Sequence, residues 1–138
     1  MKYVVCLVLL CAFIGCSQGT RLTGTVSFDD GTPVTKGDVV FDSSKESFFG
    51  TITADGHYTT GGEKEKQGIP DGVYTVWLSG TESSENTSNV AGDAVSYTVT
   101  RPVAEMFTSP SKSPLKFEVK PGGPKTFDVV VERNTTKN

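Results

Sequence analysis

Apolar side chains recur at every second position in short runs, and Gly, Pro and Asp break the runs at close intervals. This pattern limits the chain more than any other feature. Strict alternation puts one set of residues on each face of a strand, whereas a helix needs a period near 3.6. In residues 21–28, Leu22, Val26 and Phe28 share a face and Thr23, Thr25 and Ser27 share the other. Residues 36–42 carry Val39-Val40-Phe41, and residues 47–53 put Phe48, Gly50 and Ile52 together. Residues 72–78 are apolar on both faces, which predicts a central strand. Residues 94–100 alternate around Val95, Tyr97 and Val99, residues 115–120 around Leu115, Phe117 and Val119, and residues 127–132 around Phe127, Val129 and Val131. No window sustains a helical period. Seven short strands with regular turns predict an all-β antiparallel sandwich.

The breaks are turn chemistry. Asp30-Gly31-Thr32-Pro33 follows the first run. Ala54-Asp55-Gly56-His57 lies between two short strands, and Asp-Gly is a strong hairpin signal. Ile69-Pro70-Asp71-Gly72 has Pro second and Gly fourth, as a type I turn favours. Pro121-Gly122-Gly123-Pro124 joins the last two runs. Two polar stretches, residues 61–68 and 79–93, hold too little to bury and are expected as loops, the second one mobile.

The amino end is unlike the rest. Lys2 precedes eleven unbroken apolar residues, 4–14, and then Gly15, Cys16 and Ser17. A bilayer-spanning helix needs about 20 apolar residues; a charged start, a short apolar stretch and small residues at the cut make a secretory signal. Phe13-Ile14-Gly15-Cys16 resembles a bacterial lipobox, with Phe13 where Leu is usual. Cys11 follows the large Leu10, and Cys6 falls too early for a signal core. The resemblance implies that Cys16 becomes the amino terminus, with a diacylglyceryl thioether and an amide-linked acyl chain. Several chains hold a protein stably where one does not, so the implied partner is membrane lipid, through acylated Cys16. Ser17 after it resembles the outer-membrane sorting pattern. Ordinary signal-peptidase cleavage and a soluble exported product is the alternative. The expected organisation is a signal peptide at 1–15, a lipidated tether at 16–20, a β-sandwich at 21–133 and a disordered tail at 134–138.

Composition narrows the chemistry. The chain of 138 residues has three cysteines, none after Cys16, and a single histidine, His57. A disulfide within the folded domain is therefore impossible, and so are His-paired zinc and blue-copper sites built from this chain alone. Removing residues 1–15 takes out Lys2 and no acid. That leaves 12 basic against 16 acidic side chains, net −4, which argues against nucleic acid. His57, just after a turn, reads as a solvent-exposed turn residue. A Ser-His-Asp triad would depend on it alone. Asp29, Asp30, Asp55, Asp71 and Asp93 lie in turns without calcium-loop spacing and read as turn formers. Trp77 in a two-sided apolar strand reads as core, with a sugar-stacking platform shared with Tyr74 as the alternative. Asn86-Thr87-Ser88 and Asn134-Thr135-Thr136 match the glycosylation sequon by chance in polar sequence. No catalytic residue, cofactor or metal ligand is expected.

Thr23-Gly24-Thr25-Val26, Asp30-Gly31-Thr32-Pro33-Val34 and Gly37-Asp38-Val39-Val40-Phe41 follow one another, then Gly50-Thr51-Ile52-Thr53-Ala54-Asp55-Gly56-His57-Tyr58 and Gly68-Ile69-Pro70-Asp71-Gly72-Val73-Tyr74-Thr75-Val76. This order resembles the carboxypeptidase regulatory-like family, a transthyretin-like sandwich. Phe107-Thr108-Ser109, Ser113-Pro114-Leu115 and Val119-Lys120-Pro121-Gly122 extend the likeness to short planctomycete-type lipoproteins. The resemblance covers about residues 22–131. It implies a seven-stranded Greek-key sandwich (transthyretin/prealbumin-like) and a non-catalytic extracytoplasmic module in the cell envelope. Enzymes of the same fold that hydrolyse 5-hydroxyisourate use histidines and a Tyr-Arg-Gly-Ser tail; this chain ends Thr135-Thr136-Lys137-Asn138. The functional expectation is a membrane-anchored interaction or structural module with an envelope protein or glycan partner. The alternative is a glycan- or small-molecule-binding lipoprotein that uses Trp77, Tyr97 or Phe107 where these are exposed.

Overall fold

The alternation at the start of the chain becomes β1 (Thr23–Phe28), with Gly24, Val26 and Phe28 turned inward. The computed structural model describes residues 19–61, 68–87 and 96–135. The expected signal peptide and Cys16 lie outside the described residues, as do residues 62–67 and 88–95. Eight further strands follow: β2 (Asp38–Asp42), β3 (Ser47–Thr51), β4 (His57–Thr59), β5 (Gly72–Ser79), β6 (Ser83–Thr87), β7 (Ser96–Thr100), β8 (Leu115–Val119) and β9 (Val129–Val131). The only helical element among the described residues is a 3-10 turn at Glu105–Phe107.

The strands form a three-stranded sheet, β4-β1-β9, a four-stranded sheet, β3-β2-β5-β8, and a two-stranded ribbon, β6-β7. The two larger sheets bury one shared apolar core. The first contributes Val26, Phe28, Tyr58, Val129 and Val131, and the second Val39, Phe41, Tyr74, Val76, Leu78, Phe117 and Val119. The all-β, mostly antiparallel architecture read from the alternation is therefore present. The described strands number nine where seven are expected.

Three details differ from the sequence reading. First, β9 pairs with β1 in parallel. The chain runs down β8, turns at residues 120–125 and climbs the opposite sheet in the direction β1 already takes. Second, the stretch 79–93 is not all loop. β5 reaches Ser79, and Ser83–Thr87 is a strand paired with β7. Composition missed it because backbone pairing to β7, not burial, holds it. Third, Trp77 is outside the core. On β5, Tyr74, Val76 and Leu78 point inward while Val73, Thr75 and Trp77 face away from the other sheet. Trp77 is half-buried there, in register with Val40, which also faces Phe49. The row Phe49, Val40, Trp77 leaves Val40 only 8% exposed.

The Asp-Gly turns behave as their sequence directs. Gly56 N donates to Thr53 O at 2.9 Å and Thr53 N to His57 O at 2.8 Å. Gly56 has φ 82°, and Gly31 repeats the arrangement after β1 with φ 83°. This is the three-residue hairpin loop whose last member sits in the left-handed region. Gly24 is required for a different reason. A Cβ there would lie 2.0 Å from Phe127 O and 2.9 Å from Tyr58 Cε1. The Tyr58 hydroxyl donates to that same carbonyl at 2.7 Å. Gly24→Ala therefore pushes apart the crossing of β4 and the start of β9, and is expected to lower unfolding free energy by about 2–3 kcal/mol. Gly122→Ala, in open space at φ 68°, adds only left-handed strain of roughly 1 kcal/mol. Urea denaturation of the two variants checks the order; equal losses would contradict this account of Gly24.

Candidate functional site

The sandwich has two unlike ends, set by strand direction. At one end the described chain begins. Thr20 and Ile69 exchange backbone hydrogen bonds of 2.8 Å in each direction. A Cβ on Gly19 would lie 2.0 Å from Gly68 O, so the two glycines let these segments touch. Arg21 Nη2 donates to Gly61 O at 3.1 Å. Leu22 N donates to the buried Thr60 hydroxyl at 2.9 Å. The chain is thus held to the body from Thr20 onward, one residue before the expected domain boundary and four after Cys16. The turns at 43–46 and 120–125 lie at this end too.

The opposite end carries the loops at 29–37 and 52–56, the 3-10 turn and the β6-β7 ribbon. Glu82 fixes the base of the ribbon. Its carboxylate accepts from Arg101 Nε at 3.3 Å, and its carbonyl accepts from Lys36 Nζ at 2.8 Å. Beside it, Arg133 donates to Asp30 Oδ2 at 3.1 Å through both Nε and Nη2. The Arg133 guanidinium also lies 3.9 Å over the ring of Phe28. This fork and stack close the end of the core where β1 finishes.

The residues singled out in sequence do not converge. His57 is exposed in its turn, with Nε2 3.7 Å from Asp55 Oδ2. Asp55 accepts from the Thr53 hydroxyl, and this bond above all holds its carboxyl below the ordinary range. Asp30 sits at the same end but belongs to Thr32 and Arg133. Asp71 is at the other end, and Asp93 lies outside the described residues. Among the described residues no group of three His, Cys, Asp or Glu side chains is gathered to hold a metal ion. Tyr74 is buried, its hydroxyl donates to Pro70 O at 2.8 Å, and burial raises its pKa, with Glu46 and Asp71 adding to the effect. Of the three aromatics named for ligand stacking, Phe107 is buried and Trp77 half-buried, while Tyr97 is 63% exposed on the ribbon. The Trp77 indole nitrogen is shielded from solvent without a hydrogen-bond partner among the described residues.

The sequence reading passed over one concavity. Where edge strands β3 and β4 splay, Phe49, Thr51, Thr53, His57, Tyr58 and Thr59 line a hollow of about 240 Å³. Gly50 lets the two strands close beneath it, since a Cβ there would meet Thr59 O at 2.8 Å. Only pairing of the strands on either side of the Asp55-Gly56 turn brings these residues together. Among the described residues no helix is long and apolar enough to cross a membrane. Comparison with family models, with curated proteins and with solved structures found no match.

The Asp30 cluster has a definite acid response. Hydrogen bonds from the Thr32 side chain and backbone, then from Arg133, hold the Asp30 carboxyl below its ordinary 3.8. A depressed carboxylate contributes stability above its unfolded-state pKa and loses it as pH falls through the folded-state value. Asp30→Asn is therefore expected to lose less melting temperature than the parent between about pH 6 and about pH 3. Thermal melts across that range test it. An unchanged acid slope would remove Asp30 from the explanation.

Proposed function

We propose that this chain is an exported lipoprotein, held to the cell envelope through acylated Cys16, whose β-sandwich is a non-catalytic interaction or structural module. The single observation that carries the reading is the amino-terminal sequence. Lys2, eleven apolar residues and Phe13-Ile14-Gly15-Cys16 lead into a body that takes hold of the chain at Thr20. Only Ser17 and Gln18 separate the lipid-bearing cysteine from Gly19. Three residue steps span about 10–11 Å at ~3.3–3.6 Å each. The end that carries residues 43–46 and 120–125 then sits against the bilayer, and the ribbon end faces away. Outer-membrane placement follows from Ser17 after the cysteine.

The module is read as a carboxypeptidase regulatory-like, transthyretin-like Greek-key sandwich. Supporting this, the quoted motifs fall in order on β1, the loop before β2, β2, the β3-β4 hairpin and the start of β5. A four-stranded and a three-stranded sheet enclose one core. A non-catalytic role is favoured by the scatter of His57 and the aspartates. The glycan-binding alternative names Trp77, Tyr97 and Phe107; Phe107 is buried and Trp77 half-buried, so that reading draws on Tyr97 of the three.

Cys16→Ser tests the anchor. The parent is expected in the membrane fraction, with the mass of a triacylated chain that begins at Cys16. The variant is expected to lose the acyl mass and leave the membrane fraction. A parent of unmodified mass, or a variant that remains equally membrane-bound, would overturn the reading.

A further inference from the structure

The hollow between β3 and β4 is walled by the outward row of a hairpin. Phe49, Thr51 and Thr53 alternate with inward Gly50 and Ile52, and His57 and Thr59 flank inward Tyr58. Every lining side chain except Tyr58 is therefore exposed, and the buried Tyr58 lies beneath them. Phe49 keeps 49% of its surface open. The Thr53 hydroxyl donates to His57 O at 2.9 Å. The Thr51 and Thr59 hydroxyls make no hydrogen bond among the described residues. The same outward face continues onto β1, where Thr23 stands opposite Thr59 and Thr25 opposite His57.

We propose that this hollow binds one ring of a neutral saccharide chain. The lining selects that chemistry by what it turns away. At the turn β3 and β4 pair with each other: Thr53 N donates to His57 O at 2.8 Å, and Ile52 and Tyr58 bridge. The site therefore reads a ligand through side chains and not by adding a strand. An anion would meet no Lys or Arg in the lining. It would also have the Asp55 carboxylate beside it, 3.7 Å from His57 Nε2, and like charges set together are costly. A wholly apolar ligand would strip water from the Thr51 and Thr59 hydroxyls and give nothing back. A sugar ring satisfies both kinds of wall. Its C–H face suits the negative face of the Phe49 ring. Its hydroxyls suit Thr51, Thr59 and the His57 imidazole, each able to donate and to accept. The hollow, about 240 Å³, is smaller than the roughly 300–1,000 Å³ that encloses a drug-sized ligand, so it holds one unit while the rest of the chain passes over Thr23 and Thr25. This inference goes beyond the anchored-module reading and does not depend on Cys16.

Titration of the full chain with maltohexaose, cellohexaose, laminarihexaose and chitohexaose tests the site, in a zwitterionic detergent that carries no sugar and with backbone amide NMR as the readout. At least one of these neutral chains is expected to bind saturably and to shift the amides of Thr51, Thr53, His57 and Thr59. Hexagalacturonate, of the same length but anionic, is expected to leave them in place. Phe49→Ala is expected to weaken binding about tenfold. Thr59→Val removes one hydroxyl and is expected to weaken it about threefold to tenfold. Tyr97→Ala is expected to bind as the parent does, which separates the hollow from the ribbon. Thermal melts check that the variants keep the parent fold. Each of four outcomes would overturn the proposal: no saturable binding to any of the neutral chains, preference for hexagalacturonate, unchanged binding by Phe49→Ala, or loss of binding through Tyr97→Ala in its place.

Discussion

The ring of Phe41, on β2, meets aromatic rings from both sheets. Tyr58 of β4 lies 6.2 Å away, Phe117 of β8 also 6.2 Å, and Phe127 before β9 6.3 Å, centroid to centroid. Phe117 and Phe127 approach each other at 4.7 Å. Tilted and edge-on contacts of this kind add to the area buried. The cluster is what makes two sheets into one core. With no cysteine after Cys16, a disulfide cannot share the task. Gly24 and Tyr58 serve the same crossing. A glycine in β1 lets the Tyr58 ring and the Phe127 carbonyl come close, and the Tyr58 hydroxyl then bonds that carbonyl. Burial pushes the hydroxyl pKa up, with the Asp128 carboxylate adding to it, so the group stays a donor throughout the physiological range.

Strand direction follows from that closure, and it divides the molecule. One end holds Gly19, Thr20, Ile69 and the 120–125 turn. The other holds the Asp30–Arg133 fork, the Asp55–His57 turn and the ribbon. Sheet packing and backbone pairing hold the first end to the core, and Glu82, bonded by Lys36 and Arg101, holds the base of the ribbon. Elements with few buried contacts open most easily and often meet partners.

Much of the fold was legible in the residues. The inward faces of β1, β3, β8 and β9 follow from Leu22-Val26-Phe28, Phe48-Gly50-Ile52, Phe117-Val119 and Val129-Val131, because a period of two leaves one way to bury them. The Asp55-Gly56 hairpin is visible as well, since its geometry is local. Less was legible where a partner strand supplies the reason. Ser83-Ser84-Glu85-Asn86-Thr87 looks like loop by composition and is a strand because β7 lies beside it. Trp77 looks like core by its apolar neighbours, yet alternation with Tyr74 and Val76 turns it to the outer face. The hollow between β3 and β4 joins Phe49 to His57 across a turn, a proximity invisible to a reading that treats the two runs separately.

The sequence by itself determined that the described body is built from β-strands, where the Asp-Gly turns fall and which sides of β1, β3, β8 and β9 seek the core. It also holds the lipobox-like run ending at Cys16 and denies the folded domain any disulfide. These are properties of neighbouring residues and of composition, which act over a few bonds. Only the tertiary structure decided that β9 runs parallel to β1, that Gly24 is needed for clearance and not for a turn, and that β6 exists. The same holds for the chain start and the ribbon lying at opposite ends. Those outcomes depend on contacts between segments far apart in the chain, and the physical reason is the same in each case. A backbone group or an apolar face finds its partner only after the sheets have closed.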